Sequence, residues 1–175
     1  PKFVEPMLDY IVQDFEKARI SMNDNSIGGL VVCDSSDQAK MLFEIFESKY
    51  AINKNVHSGL LQAAEPQESY GDKKKAESKV TKAAVILHDI GTKQDRKDQV
   101  EAFKDGHIDF LFVYNMLLTG FDAPRLKRLY LGRKIKAHNL LQTVTRVNRP
   151  YKDYAFGYII DFADNSKEFD KTKKA

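Results

Sequence analysis

The chain reads as an α/β domain: a mostly parallel sheet covered by helices on both faces. Three observations point there. Apolar runs of four to six residues alternate with amphipathic stretches of ten or more. Those runs are continuous rather than alternating, as in strands buried on both sides. At 175 residues the chain suits one compact domain, with most of its apolar surface inside.

The elements follow in order. Met7 to Ala18 places Leu8, Ile11, Val12, Phe15 and Ala18 on one side of a helix. Residues 21–29 form a polar break. Leu30-Val31-Val32-Cys33 is a buried-type strand. Asp34-Ser35-Ser36-Asp37 offers capping groups to a helix from about Gln38 to Tyr50, with Met41, Leu42, Ile45 and Phe46 inward. Residues 53–61 stay open between strand and loop. Residues 62–82 hold Glu65-Pro66, Tyr70-Gly71 and Lys73-Lys74-Lys75 and read as a flexible surface insertion.

Residues 83–87 are the next strand. Lys93 to Lys104 is a helix ending before Gly106. Phe110 to Tyr114 is a strand, followed by the turn Gly120-Phe121-Asp122-Ala123-Pro124. Leu129 to Leu131 is another strand. Ala137 to Val147 reads as a helix stopped by Pro150. Residues 156–160 make the last strand, and a polar, basic tail begins at Asn165. Parallel sheets place ligands at the carboxyl ends of their strands. The turns after Val32, Tyr114 and Leu131 share that edge.

No apolar run is long enough to span a bilayer, and Pro1 to Pro6 is no signal peptide. The N-terminus, lacking Met, suggests a piece of a longer protein. The single Cys33 lies in an apolar run and reads as a buried thiol, in keeping with a reducing cytoplasm. His57, His88, His107 and His138 are scattered without metal-ligand spacing, so no metal site is expected. His138 lies on the late helix, where positioning that helix competes with an ordinary surface histidine. Phe103, Phe110, Phe112 and Phe156 read as core.

The chemistry concentrates late in the chain. Gln142, Arg146 and Arg149 stand at i, i+4 and i+7, one face of a helix. An amphipathic helix would line that spacing with apolar residues. An amide and two guanidiniums there suit a phosphate, which arginine binds through its planar fork. Surface ion pairs are the weaker reading, because no acidic residue lies nearby in sequence. Residues 123–152 carry nine Lys or Arg and no Asp or Glu, in a chain of net charge only +3. Such a block is the footprint of a polyanion contact; the competing reading is a solvated face.

Asp109 to Gly132, continuing through His138 to Pro150, resembles the R subunit of type I restriction-modification enzymes. More broadly it is similar to the second RecA-like lobe of superfamily 2 helicases. Leu118-Thr119-Gly120-Phe121-Asp122 matches helicase motif V, and Gln142 to Arg149 matches motif VI. Val31 to Gln38 is a weaker match to motif IV. The strong similarity spans about residues 100–165, and residues 51–82 have no counterpart. The resemblance implies a RecA-like three-layer sandwich over 28–165, an N-terminal connector over 1–27 and a tail over 166–175.

It also implies roles. ATP and Mg2+ would sit between two lobes, held mainly by the other lobe; none is expected on the isolated chain. Arg146 and Arg149 would act on the triphosphate across the cleft. Gln142 would bond to nucleotide or orient Arg146. Gly120 would allow close backbone approach, and Asp122 would accept from the ribose or couple nucleotide to DNA. A plain turn-capping Asp122 is the alternative. Thr119, Asn115, Ser35 and Ser36 would donate to DNA phosphates, with N-capping the competing role for the serines. Arg125, Lys127, Arg128, Arg133, Lys134 and Lys136 would attract duplex backbone, each competing with a solvated charge.

The implied partners are double-stranded DNA, the first lobe and nuclease domain of the same chain, and the modification and specificity subunits. The implied setting is the cytoplasm of a bacterium or archaeon. The full-length parent would be an ATP-dependent translocase and site-specific deoxyribonuclease. The chain itself has no Gly-x4-Gly-Lys-Ser/Thr loop, no Asp-Glu-x-His motif and no Asp…Glu-x-Lys nuclease set. It is therefore expected to be inactive alone. Two other readings stand beside this one: the lobe of another superfamily 2 helicase, and a non-catalytic α/β interaction module. Convergence of motifs V and VI on one open edge, with the arginines pointing at solvent and unpaired, favours a motor; Arg146 and Arg149 buried in local carboxylate pairs favour a scaffold.

Overall fold

The computed structural model describes residues 2–51, 79–116 and 121–173. Its elements are α1 (Val4–Met22), β1 (Gly28–Val32), α2 (Ser36–Lys49), β2 (Ala83–Ile86), α3 (Lys93–Lys104), β3 (Phe110–Val113), β4 (Leu126–Leu131), α4 (Ala137–Thr145), β5 (Tyr158–Asp161) and α5 (Ser166–Thr172). The five strands form one sheet in the order β2-β3-β1-β4-β5, and every pairing is parallel. This is the expected RecA-like α/β fold. Among the described residues, no helix is long and apolar enough to cross a membrane.

Two cores lie back to back across the sheet, as the period-two alternation of strand side chains requires. On one side Val31, Cys33, Phe110, Phe112 and Tyr130 pack against Leu8, Ile11 and Phe15 of α1 and Leu42 and Phe46 of α2. On the other, Leu30, Val32, Leu111, Val113, Leu129 and Leu131 pack with Phe103 of α3, Leu140 of α4 and Val147. Helix α1, expected as a connector, thus supplies part of the core. Its buried Arg19 donates to Ile27 O at 3.0 Å and pairs with Asp109 at 2.6 Å. Asp109 also accepts from Thr81 N at 2.9 Å, which ties α1 to the entry of β2.

Local chemistry explains the element ends. α1 begins three residues earlier than its apolar stripe, because Pro6 is tolerated in a first turn. It ends at Asn23, left-handed with φ of 51°, which lets its N–H reach Arg19 O and Ile20 O. α3 has the expected bounds and opens on a reciprocal cap between Thr92 and Asp95.

Some expectations need correction. β4 starts at Leu126 rather than Leu129, since Lys127 and Arg128 break the apolar run. β5 is shifted two residues later at its start, and Phe156 is exposed rather than core. The polar tail holds a short helix, α5, whose Asn165 is buried and donates to Arg133 O at 3.1 Å. Residues 53–61 and most of 62–82 lie outside the described residues.

Candidate nucleotide and nucleic-acid sites

The motif VI helix is shorter than its sequence pattern. α4 ends at Thr145, with Arg146 as its cap residue. The Thr143 hydroxyl donates to Asn139 O at 2.7 Å, and that of Thr145 donates to Gln142 O at 2.7 Å. Such back-bonding competes with the helical ladder. Arg146 N turns to Thr143 O at 3.2 Å, tightening the last turn. Pro150 then disfavours the helical conformation for Arg149. Arg149 is therefore not on the helix, and the expected i+7 alignment does not form.

Arg149 is nonetheless brought to the motif V turn. Arg149 Nη1 lies 3.0 Å from Asp122 Oδ2, and the two side chains are 45% and 51% exposed. Phe121 and Ala123 on either side of Asp122 are buried in the core that also holds Val147. Those apolar anchors hold the two motifs together. The acidic partner absent near Arg149 in sequence thus arrives from 27 residues away. Arg146 is half-buried; among the described residues it has no ion pair, and its Nε is buried with no acceptor. On the same helix Gln142 Nε2 meets His138 Nε2 at 3.2 Å. Thr119 and Gly120 lie outside the described residues.

This cationic group sits toward the amino end of β4. The chain leaves β3 at the carboxyl edge and must return before it can begin another parallel strand, so Asp122 lies close to the start of β4. The Lys127 ammonium on β4 holds Val147 O at 3.2 Å and also bonds Arg149 O, placing the arginine loop at the same end.

The carboxyl edge gathers a second group. Cys33 N donates to Val113 O and Gly132 N to Val32 O, each at 2.7 Å, which aligns the exits of β1, β3 and β4. Ser35 caps α2 by accepting from Gln38 N at 3.1 Å, the N-capping reading. Ser36 is the first residue of that helix. Asn115 is exposed and accepts from Arg133 Nη1 at 2.6 Å; the guanidinium also stacks 4.9 Å above the Tyr114 ring. Ser35, Asn115 and Arg133 therefore share one edge.

Part of the basic block is turned inward, which narrows its reading as a polyanion footprint to the cations that stay in solvent. Arg125 is 4% exposed and donates to Phe103 O, Ile108 O, Ser26 O and Ile27 O, at 2.7 to 3.3 Å. Burial lowers its pKa from the ordinary value. It closes the amino edge of the sheet and offers nothing to DNA. Lys127 is fully buried. Arg128 forks onto Asp14 at 3.1 and 2.9 Å. Lys152 pairs with Asp24 at 3.1 Å. Arg133, Lys134, Lys136 and the two motif VI arginines remain within reach of solvent. Among the described residues no cluster of His, Cys, Asp and Glu could hold a metal ion.

Comparisons with known proteins agree with this architecture. The chain is 59% identical over 51 residues to a putative type I restriction enzyme endonuclease subunit, MjaVIIP, of Methanocaldococcus jannaschii, covering 29% of this chain and 5% of that one. It is 41% identical over 75 residues to the SauCOLORF180P endonuclease subunit of Staphylococcus aureus, covering 42% and 8%. The matched segments are thus small parts of long relatives. Among solved structures, domain 2 of the DEAD-box helicase Mss116p bound to an RNA duplex matches with a TM-score of 0.61 at 12% identity, covering 99% of this chain and 55% of that one. The Pyrococcus furiosus Hef helicase domain matches with a TM-score of 0.55 at 11% identity, covering 97% and 28%. At such identity these two show the fold alone. The model of the family described as type I restriction enzyme subunit R domain 3 matches residues 62–164, more than half of the chain and well upstream of residue 100. The chain belongs to that family.

Proposed function

We propose that this domain is the second motor lobe of an R subunit that uses ATP to translocate duplex DNA and so to bring about its cleavage. The observation that carries the reading is the meeting of Asp122 with Arg149 on an open surface, three residues after an Arg146 whose Nε lacks an acceptor. A scaffold module would have buried those guanidiniums in carboxylate pairs. Here one pair is half exposed and the other arginine has none among the described residues.

The residues fit a nucleoside triphosphate with Mg2+ supplied on the facing lobe. When bound, that group supplies the phosphoryl bond to be broken and the metal that neutralises part of its charge. The chain's own contribution would be positive charge offered to the phosphate oxygens. Arg146 and Arg149 present planar guanidinium forks that match such oxygens. One arginine in that position is worth about 10³–10⁵ in rate. Arg149 exchanges Asp122 for the phosphate, which frees the carboxylate to accept from the ribose. Gln142, one turn before Arg146, is placed to bond the nucleotide or steady that side chain. Gly120 would let backbone approach it closely.

The opposite edge would follow the DNA track. Asn115 and Arg133, with the Ser35 and Ser36 hydroxyls, would meet phosphates of the duplex backbone without reading sequence; Thr119, outside the described residues, is assigned the same role by its motif alone. Modification and specificity subunits would supply recognition, and a nuclease domain of the same subunit would cut. ATP hydrolysis by the full-length subunit, assembled and given DNA, tests the reading. Arg146→Ala is expected to abolish turnover while ATP binding persists. Unchanged turnover removes the arginine from the chemistry.

A further inference from the structure

We infer that Lys127 is the positioning residue for Arg149: an ammonium sealed inside the domain that fixes the backbone from which the arginine reaches out. The inference rests on the nucleotide role proposed for Arg149.

Lys127 lies on β4 with no exposed surface. Among the described residues no carboxylate pairs with it. Its Nζ donates to Val147 O at 3.2 Å and to Arg149 O. Removing an ammonium from water without a counter-ion is costly, and burial does pull its pKa below the ordinary lysine value. An apolar side chain would fill this strand position more cheaply. What an apolar side chain cannot do is bond two carbonyls that stand beyond the end of α4, where no helical N–H follows to take them. Lysine offers three donors on one compact point charge, enough for both.

The bonds span the three residues Val147-Asn148-Arg149. Val147 is itself buried, so the segment is gripped by its side chain on one side and by its carbonyls on the other. Gly157 closes the remaining direction. A Cβ there would stand 2.7 Å from Val147 O and 2.9 Å from Lys127 O, so the chain entering β5 already presses on the same carbonyl. Pro150 adds a fixed φ immediately after. The Arg149 backbone is thus immobilised from several directions, while its side chain remains 45% exposed and loosely held. A group that must meet a transferring phosphoryl within about 1 Å needs this combination, since such a misplacement costs about 10²-fold in rate.

The test is a double-mutant cycle on ATP turnover in the full-length subunit, assembled with its partner subunits on duplex DNA. Lys127→Met is expected to lower kcat about 100-fold with little change in KM for ATP. In an Arg149→Ala background the same substitution should lower kcat no further, because the arm it aims is already gone. Lys127→Arg should recover part of the loss. If Lys127→Met does not fold, Gly157→Ala decides, since it displaces Val147 O from the other side and should show the same dependence on Arg149. Losses that multiply in the double variant, or an unchanged kcat for a folded Lys127→Met, overturn the inference and leave the nucleotide reading intact. Full turnover by Arg149→Ala alone overturns both.

Discussion

Asp122 and Arg149 close a 27-residue gap in sequence to 3.0 Å, yet each leaves about half of its side chain in solvent. A pair so placed is screened and contributes at most about 1 kcal/mol. It holds the arginine near its place without committing it. Asp122→Asn should therefore change the unfolding free energy of the domain by no more than about 1 kcal/mol. Chemical denaturation measures this. A loss above about 2 kcal/mol would make the contact structural.

Arg125 is the opposite case. Its guanidinium satisfies four carbonyls from three segments and is almost wholly buried. Arg125→Leu leaves those acceptors bare, at a cost of roughly 3–5 kcal/mol. Arg125→Lys should rescue little, since an ammonium cannot reproduce the fork. The denaturation midpoint should fall while the slope stays constant. A midpoint that does not move refutes the assignment.

Cys33 gives a pH signature. Burial pushes its thiol from an ordinary 9.0 up to about 12. The proton is held more tightly in the folded state, so the stability this provides is complete below about pH 9. It is lost as pH rises toward 12. The stability difference between wild type and Cys33→Ala should shrink across that window, which pH-resolved denaturation can follow. A thiol reagent at pH 8 should react only on unfolding; rapid reaction with the native domain would contradict the burial.

Arg133 and Arg128 separate a DNA contact from a structural cation. Arg133 stands at the carboxyl edge beside Asn115, while Arg128 is committed to Asp14 beneath α1. In the assembled enzyme, Arg133→Ala should reduce the slope of log affinity against log salt by about 1 for duplexes of any sequence. Arg128→Ala should leave the slope alone and lower stability instead. Equal slopes for wild type and Arg133→Ala would remove that edge from the track.

The sheet was legible because its strands are uninterrupted apolar runs and its long helices carry clear stripes, as in Leu8, Ile11 and Phe15. Lys93 to Lys104 was fully legible, with Gly106 marking its end; the Thr92 cap at its start emerged from the structure. The start of β4 was hidden because Lys127 and Arg128 are charged but turned inward, and charge reads as surface. The end of α4 was hidden because Thr143 and Thr145 spend their hydroxyls on the backbone, a competition that periodicity does not register. α5 is too short and polar to show a stripe. The motif VI arginines were visible by type and spacing. Asp122 as the partner of Arg149 was not, because the contact depends on how the loop after β3 returns along the sheet. Within the basic block, Arg125 and Lys127 were misread for a related reason: counting cations says nothing about which carbonyls wait for them.

The central claim is that Arg146 and Arg149 complete a triphosphate site. The most direct measurement is DNA-dependent ATP turnover by the full-length subunit carrying both Arg146→Ala and Arg149→Ala, with nucleotide binding measured alongside. A fall of about 10³–10⁵ in kcat, in a protein that still folds and binds ATP, is the expected result. Turnover at the wild-type rate would contradict it.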